Sequence, residues 1–198
     1  MKLFLLLTLL TVMHSQLFAF KDGFYFGLSK GYMQGESKNK KLDETTKATY
    51  DVAADITSLR FGPDFNFDRA HQLKGRWEFT IDQRSYIYTD KNDIEYEKLG
   101  NRFGVAFLWG TNIDFLLNEE FVPFFKLGYG IANTSKIDET YDAVYGVGFY
   151  FVTKYFEVGA GYDVENRDFG GVRVNHEIFW DAYETFGTSY INLNFRLY

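Results

Sequence analysis

Along most of this chain, bulky apolar residues recur at every second position, with glycine, charged or small residues between them. From Phe24 to Gln34, one face would carry Phe24, Phe26, Leu28 and Tyr32, and the other Tyr25, Gly27, Ser29 and Gly31. A period of two is the geometry of a β-strand with two unlike faces. The same rhythm returns over residues 59–67, 73–81, 103–109, 125–131, 145–151, 156–163 and 191–197. Its less apolar face is unusual. Arg60 and Asp64, then Lys74, Arg76 and Glu78, share that face with glycines, so charges of both signs lie together.

These segments give about eight strands of roughly nine to eleven residues, long enough to cross a bilayer at about 45° of tilt. The connections alternate in length. Short ones fall near residues 68–72, 118–120 and 152–155, and long ones near 35–55, 85–100, 133–142 and 166–186. Short turns on one side and long loops on the other are the habit of barrels with periplasmic turns and external loops. In hydrocarbon, an open sheet edge would leave backbone groups unpaired at several kcal/mol each, so such a sheet must close. The expected fold is all-β: an eight-stranded antiparallel up-and-down transmembrane β-barrel in the bacterial outer membrane.

Residues 1–19 read as a secretory signal peptide. Lys2 gives the positive start, Leu3 to Val12 the apolar stretch, and Leu17-Phe18-Ala19 a cleavage site. That stretch is too short to span a bilayer, and no other run approaches eighteen apolar residues. Residues 20–198 are then one outer-membrane β-barrel domain. There is no cysteine, which removes both a disulfide and a lipoprotein anchor. A formal net charge of −6 argues against nucleic acid. Aromatic residues make up 20% of the chain while mean hydropathy is −0.26, as expected when each membrane strand is apolar on one face only.

An eight-stranded barrel has an interior just wide enough for side chains to fill. The expected lumen charge network is Arg60, Asp64, Arg76, Glu78, Asp82, Arg102, Lys126, Glu157 and Asp163, with Lys74 and Arg84 on the same faces. Both signs occur in similar number, which favours a salt-bridged plug, because buried charge is costly unless paired. Aromatics near strand ends are expected at the membrane interfaces: Phe24, Phe67, Phe121, Tyr155 and Phe156 on the periplasmic side, and Tyr32, Tyr86 and Tyr88 on the outer one. The first long loop, with Lys38, Lys40, Lys41, Asp43, Glu44 and Lys47, reads as a solvated surface. Tyr50, Phe169, Phe179, Trp180 and Tyr183 are the aromatic candidates for contact through loops, against packing on neighbouring loops.

The run from Gly23 to Tyr32 resembles the first strand of the outer-membrane β-barrel family that includes OmpA-like and OmpX-like proteins. Residues 122–130 resemble that family's fifth strand and residues 156–162 its seventh. The resemblance implies the barrel fold, outer-membrane lipids and the barrel-assembly machinery as partners, and no particular activity. Family members usually end in an aromatic residue in phase with the outward positions, whereas Tyr198 is out of phase with Ile191, Leu193, Phe195 and Leu197.

Catalysis needs a nucleophile, a base and an orienting group within reach. Beyond the signal, the chain offers only His71, at an expected periplasmic turn, and His176, in the last long loop near Glu177 and Ser189; no His-x-Ser motif is present. Glu177, Asp181 and Glu184 could hold a divalent cation, but three scattered acids are more often simply solvated. Neither enzyme activity, metal nor cofactor is therefore expected. Gly75-Arg76-Trp77 matches a motif of lipocalins, soluble barrels whose apolar face points inward, although there it belongs to the first strand. Periodicity alone does not say which face is inside. The expected role is structural, in envelope integrity or surface contact, with a possible extracellular ligand held by the loops. The alternatives are a narrow channel for ions or small solutes and, less favoured, a soluble carrier.

Overall fold

The computed structural model describes residues 23–41, 47–67, 72–90, 92–114, 119–134, 137–168, 172–174 and 177–197. Eight long strands form the wall: β1 (Phe24–Lys41), β2 (Lys47–Asn66), β3 (Leu73–Thr89), β4 (Glu95–Thr111), β6 (Glu120–Thr134), β7 (Ile137–Val152), β8 (Phe156–Asp168) and β10 (Glu177–Leu197). Two short ones, β5 (Ile113–Asp114) and β9 (Val172–Val174), pair with β6 and β10. Each long strand pairs antiparallel with the next, and β10 pairs with β1 from Phe24–Leu197 to Lys41–Trp180, which closes the cylinder.

The register fixes the barrel's shape. Followed through its partners Leu59, Ile81, Phe103, Ile131, Tyr141, Asp168 and Tyr183, Leu28 leads back to Lys38, a stagger of ten residues (38 minus 28). With ~3.3 Å per residue and ~4.8 Å between strands, eight strands and this stagger give a tilt of about 40°.

The strands are longer than the nine to eleven residues expected from the apolar pattern, at 13 to 21 residues. Most of the segments expected as long loops continue the sheet instead. Ser85 to Gly100 is a hairpin whose arms stay paired out to Thr89–Glu95. Asp90 closes it: its carboxylate accepts from the backbone N–H groups of Asn92 (2.8 Å) and Ile94 (2.9 Å), while Asp93 adopts φ 59°. Aspartate suits both tasks, since its short side chain bonds the backbone locally and tolerates the left-handed region. At the other end the connections are tight. Between β7 and β8 only residues 153–155 intervene, and the Thr153 N–H donates to the Phe156 carbonyl at 2.9 Å.

His71, Asp43, Glu44, Phe169, His176, Tyr198 and the signal segment lie outside the described residues. Of Phe179, Trp180, Asp181 and Tyr183, the backbone lies in β10 and not in a loop.

Candidate functional site in the barrel lumen

The two faces of the wall are inverted relative to a soluble protein. Outward positions are bulky and apolar: Leu28 is 64% exposed and Ile191 65%, alongside Phe26, Trp77, Phe103, Phe125, Tyr145 and Leu193. Inward positions carry the charges, and Glu78 and Glu157 have no exposure at all. A soluble carrier with an inward apolar lining would show the opposite. On β1 the outward run from Phe24 to Tyr32, apolar or aromatic except for Lys30, covers nine positions, about 23 Å along the axis at ~3.3 Å rise and ~40° tilt, close to the ~25 Å band of membrane barrels. The chain is a transmembrane β-barrel of the outer-membrane type.

No family model matches the chain, and no curated protein matches its sequence. Among solved structures, it is similar to the β domain of the Bordetella autotransporter BrkA (13% identity, 86% of this chain and 68% of that one, TM-score 0.44). It is also similar to Neisserial surface protein A (12%, 84% and 95%, 0.42) and to the outer membrane protease OmpT from Escherichia coli (9%, 89% and 97%, 0.45). At identities and TM-scores this low, the barrel's own faces carry the conclusion.

The lumen charges form three levels. Nearest the short turns, Arg76 on β3 binds Asp64 on β2 through two hydrogen bonds (2.5 and 3.0 Å) and reaches Glu157 on β8 through two more (2.5 and 2.7 Å). Arg196 also pairs with Asp64 at 3.2 Å, and Asn194 donates to Glu157. The Tyr25 and Tyr150 rings lie 3.9 and 4.3 Å from the Arg76 guanidinium. At the middle level, Glu78 accepts from Arg60 and Lys126, each at 3.3 Å, and Lys126 also pairs with Asp163. Above, Arg84 grips Glu165 through two bonds (2.7 and 2.8 Å) and Asp82 at 2.8 Å, while Arg102 grips Asp142 through two bonds of 2.7 Å. Arg167 approaches Glu165 at 3.3 Å and Glu184 at 3.7 Å. Arginine suits such pairs because its planar fork matches a carboxylate. Arg102 lies across the stretch of inner wall made by Gly104 and Gly130, where any side chain would meet its guanidinium.

The barrel order makes β3 and β8 opposite walls, four strands apart either way. The Arg76 pair with Glu157 and the Arg84 pair with Glu165 therefore cross the lumen at two heights. Apolar packing fills the rest: Leu108, Val122, Phe124 and Val152 near the short turns, and Met33, Val52, Ile56, Tyr86, Tyr88 and Phe186 toward the long hairpins. Two small cavities lie inside, about 40 Å³ beside Asp64 and Arg76 and about 30 Å³ beside Arg60 and Thr188. Each has room for a few water molecules.

All nine charges expected in the lumen from sequence point inward and are buried. Asp142, Arg167 and Glu184 were not expected there, because their segments read as loops, and Glu165 lies just past the strand as read to Asp163. For Glu165 and Arg167 the signal was available, since both keep the phase of Glu157 and Asp163. Glu184, read as a solvated loop acid, instead lies buried against Arg167.

Of the interfacial aromatics, Tyr32, Phe67, Tyr155 and Phe156 are exposed, Phe24 is half-buried on the outward face, and Phe121 is half-buried against Phe149, with ring centres 5.4 Å apart. Tyr86 and Tyr88 are corrections. They share the phase of Asp82 and Arg84, point inward and are 1% and 6% exposed. Tyr50 is likewise half-buried, packed on the inner cluster of Met33 and Val52 instead of presented to solvent.

Proposed function

We propose that this barrel is a non-conducting, non-catalytic element of the bacterial outer membrane, which holds paired hairpins above the membrane for envelope integrity and surface contact. The observation that carries this reading is the pair of salt bridges across the lumen, Arg76 to Glu157 and Arg84 to Glu165. An ion would have to break a buried, multiply bonded pair to pass, at a cost of several kcal/mol. By the habit of such barrels, the short turns face the periplasm and the long hairpins the exterior. Export would use residues 1–19, assembly would use the barrel-assembly machinery, and outer-membrane lipids would cover the apolar face. The absence of catalysis rests on the sequence, where His71 and His176 have no His-x-Ser partner.

Flux through liposomes tests the sealed lumen. Proteoliposomes holding folded protein, verified by a gel-mobility shift on heating, should release small ions and sugars no faster than protein-free liposomes. Faster release that changes when Arg76 or Glu78 is replaced would contradict the reading and favour a narrow channel.

A further inference from the structure

Beyond the apolar band, the wall built by β1 to β4 differs from the rest of the barrel. Two neighbouring cross-strand rows face outward there: Tyr32, Asp55, Ser85 and Leu99, then Gln34, Ala53, Ile87 and Glu97. The small side chains of Ala53 and Ser85 leave a depression between Tyr32, Ile87 and Leu99 of about 470 Å³, within the range of pockets that hold small ligands. The Gln34 side-chain amide donates to the Tyr32 hydroxyl at 3.3 Å and steadies that ring. Tyr32, Ile87 and Leu99 are all exposed. An apolar hollow in a wall that is otherwise polar marks a contact site.

Charge narrows the partner. The next row outward is Glu36, Asp51, Thr89 and Glu95, so three successive rows of this wall carry carboxylates. Among the described outward side chains of this wall, the cations are Lys38, paired with Glu36 at 3.0 Å, and Lys30, one row below Tyr32, which donates to the Thr57 hydroxyl at 3.4 Å; Lys98 also lines the hollow, its ammonium 4.5 Å from the Tyr88 ring. On the opposite wall, the described outward side chains Asn133, Ala143, Asn166 and Thr185 carry no charge. Among the described outward side chains beyond the apolar band, the acids lie on the wall that has the hollow.

We infer that this hollow docks a basic amphipathic peptide segment, with an apolar side chain seated over Ala53 and Ser85 and Lys or Arg side chains facing Asp55 and Glu97. A lipid acyl chain matches the shape and could enter past Tyr32, but an anionic headgroup would be set against those carboxylates. The inference rests on the protruding wall being a contact surface and is independent of whether the lumen is sealed.

The test uses the folded protein in zwitterionic phosphatidylcholine nanodiscs and a fluorescent ~14-residue peptide of alternating Leu and Lys, with empty nanodiscs as reference. Saturable binding is expected, weakened about tenfold by Leu99→Glu. The Asp55→Asn, Glu97→Gln double variant should bind about fivefold more weakly at ~50 mM salt and lose that difference at ~0.5 M, where exposed charges are screened. These side chains are exposed, and the heat-dependent gel shift verifies that each variant folds. Equal binding by wild type and both variants, binding no stronger than to empty nanodiscs, or equal binding of a Leu-Glu peptide would overturn the inference. So would a co-purified phospholipid that Leu99→Glu releases while peptide binding stays unchanged. Tight liposomes without peptide binding would overturn this inference and leave the sealed lumen standing, whereas leaky liposomes would strike the sealed lumen alone.

Discussion

Arg76→Ala is expected to lower the stability of the barrel by about 3–5 kcal/mol, the cost of removing one partner from a buried ion pair. Asp64 and Glu157 would be left facing each other across the space the guanidinium now fills, each having lost two hydrogen bonds. Such a loss is a large share of the ~5–15 kcal/mol that holds a typical domain together, so much of the variant should fail to show a heat-dependent gel shift after refolding. Arg76→Lys should recover only part of the loss, because an ammonium does not reproduce two bidentate contacts. Combining Arg76→Ala with Asp64→Asn and Glu157→Gln should restore folding more fully than either neutralisation alone, since the stranded charges disappear. Urea unfolding in lipid gives the number. A single Arg76→Ala variant as stable as wild type would mean that the network contributes nothing to holding the wall.

The second large effect lies on the other face. Leu28→Arg places a charge near the centre of the apolar band, where Leu28 sits between Leu59 and Leu193 on the neighbouring strands and is 64% exposed. In a membrane barrel the change should cost about 2–4 kcal/mol. At an equally exposed position in water it would fall within about 0.5 kcal/mol. Thr185→Arg, outward on β10 but six residues past the apolar Ile191, supplies the control and should be neutral within that margin. Equilibrium unfolding of the three proteins in the same lipid separates the cases.

How far the sequence alone reveals this molecule depends on where each residue stands along the wall. Within the apolar band, alternation is enforced by lipid on one side and packing on the other, so strand identity and phase are legible from Phe24 to Tyr32 and from Phe156 to Tyr162. Beyond the band the outer face meets water, and its residues are no longer apolar. There Gln34, Glu36, Asp51 and Asp55 look like loop residues, although β1 and β2 stay paired out to Lys40–Lys47. Strand length was illegible for that reason, and with it the inward placement of Asp142 and Glu184. Tyr86 and Tyr88 show a different failure. An aromatic with a hydroxyl suits both a membrane interface and a lined cavity, and only their phase with Asp82 and Arg84 distinguishes the two. Pairing was beyond sequence altogether: nothing local to Arg76 or Arg84 says that Glu157 and Glu165, each 81 positions away, stand on the opposite wall.

The measurement that tests the inverted faces most directly is fluorescence quenching by brominated lipids. Trp77 and Trp109 both point outward from the half of the band near the short turns, within the aromatic cluster around Phe107, and Trp180 is removed as a third emitter by Trp180→Phe. Bromine carried on the acyl chains should quench the remaining emission strongly, and an aqueous quencher should scarcely reach it. Efficient aqueous quenching with no response to brominated chains would place both tryptophans in water and contradict the membrane-spanning barrel.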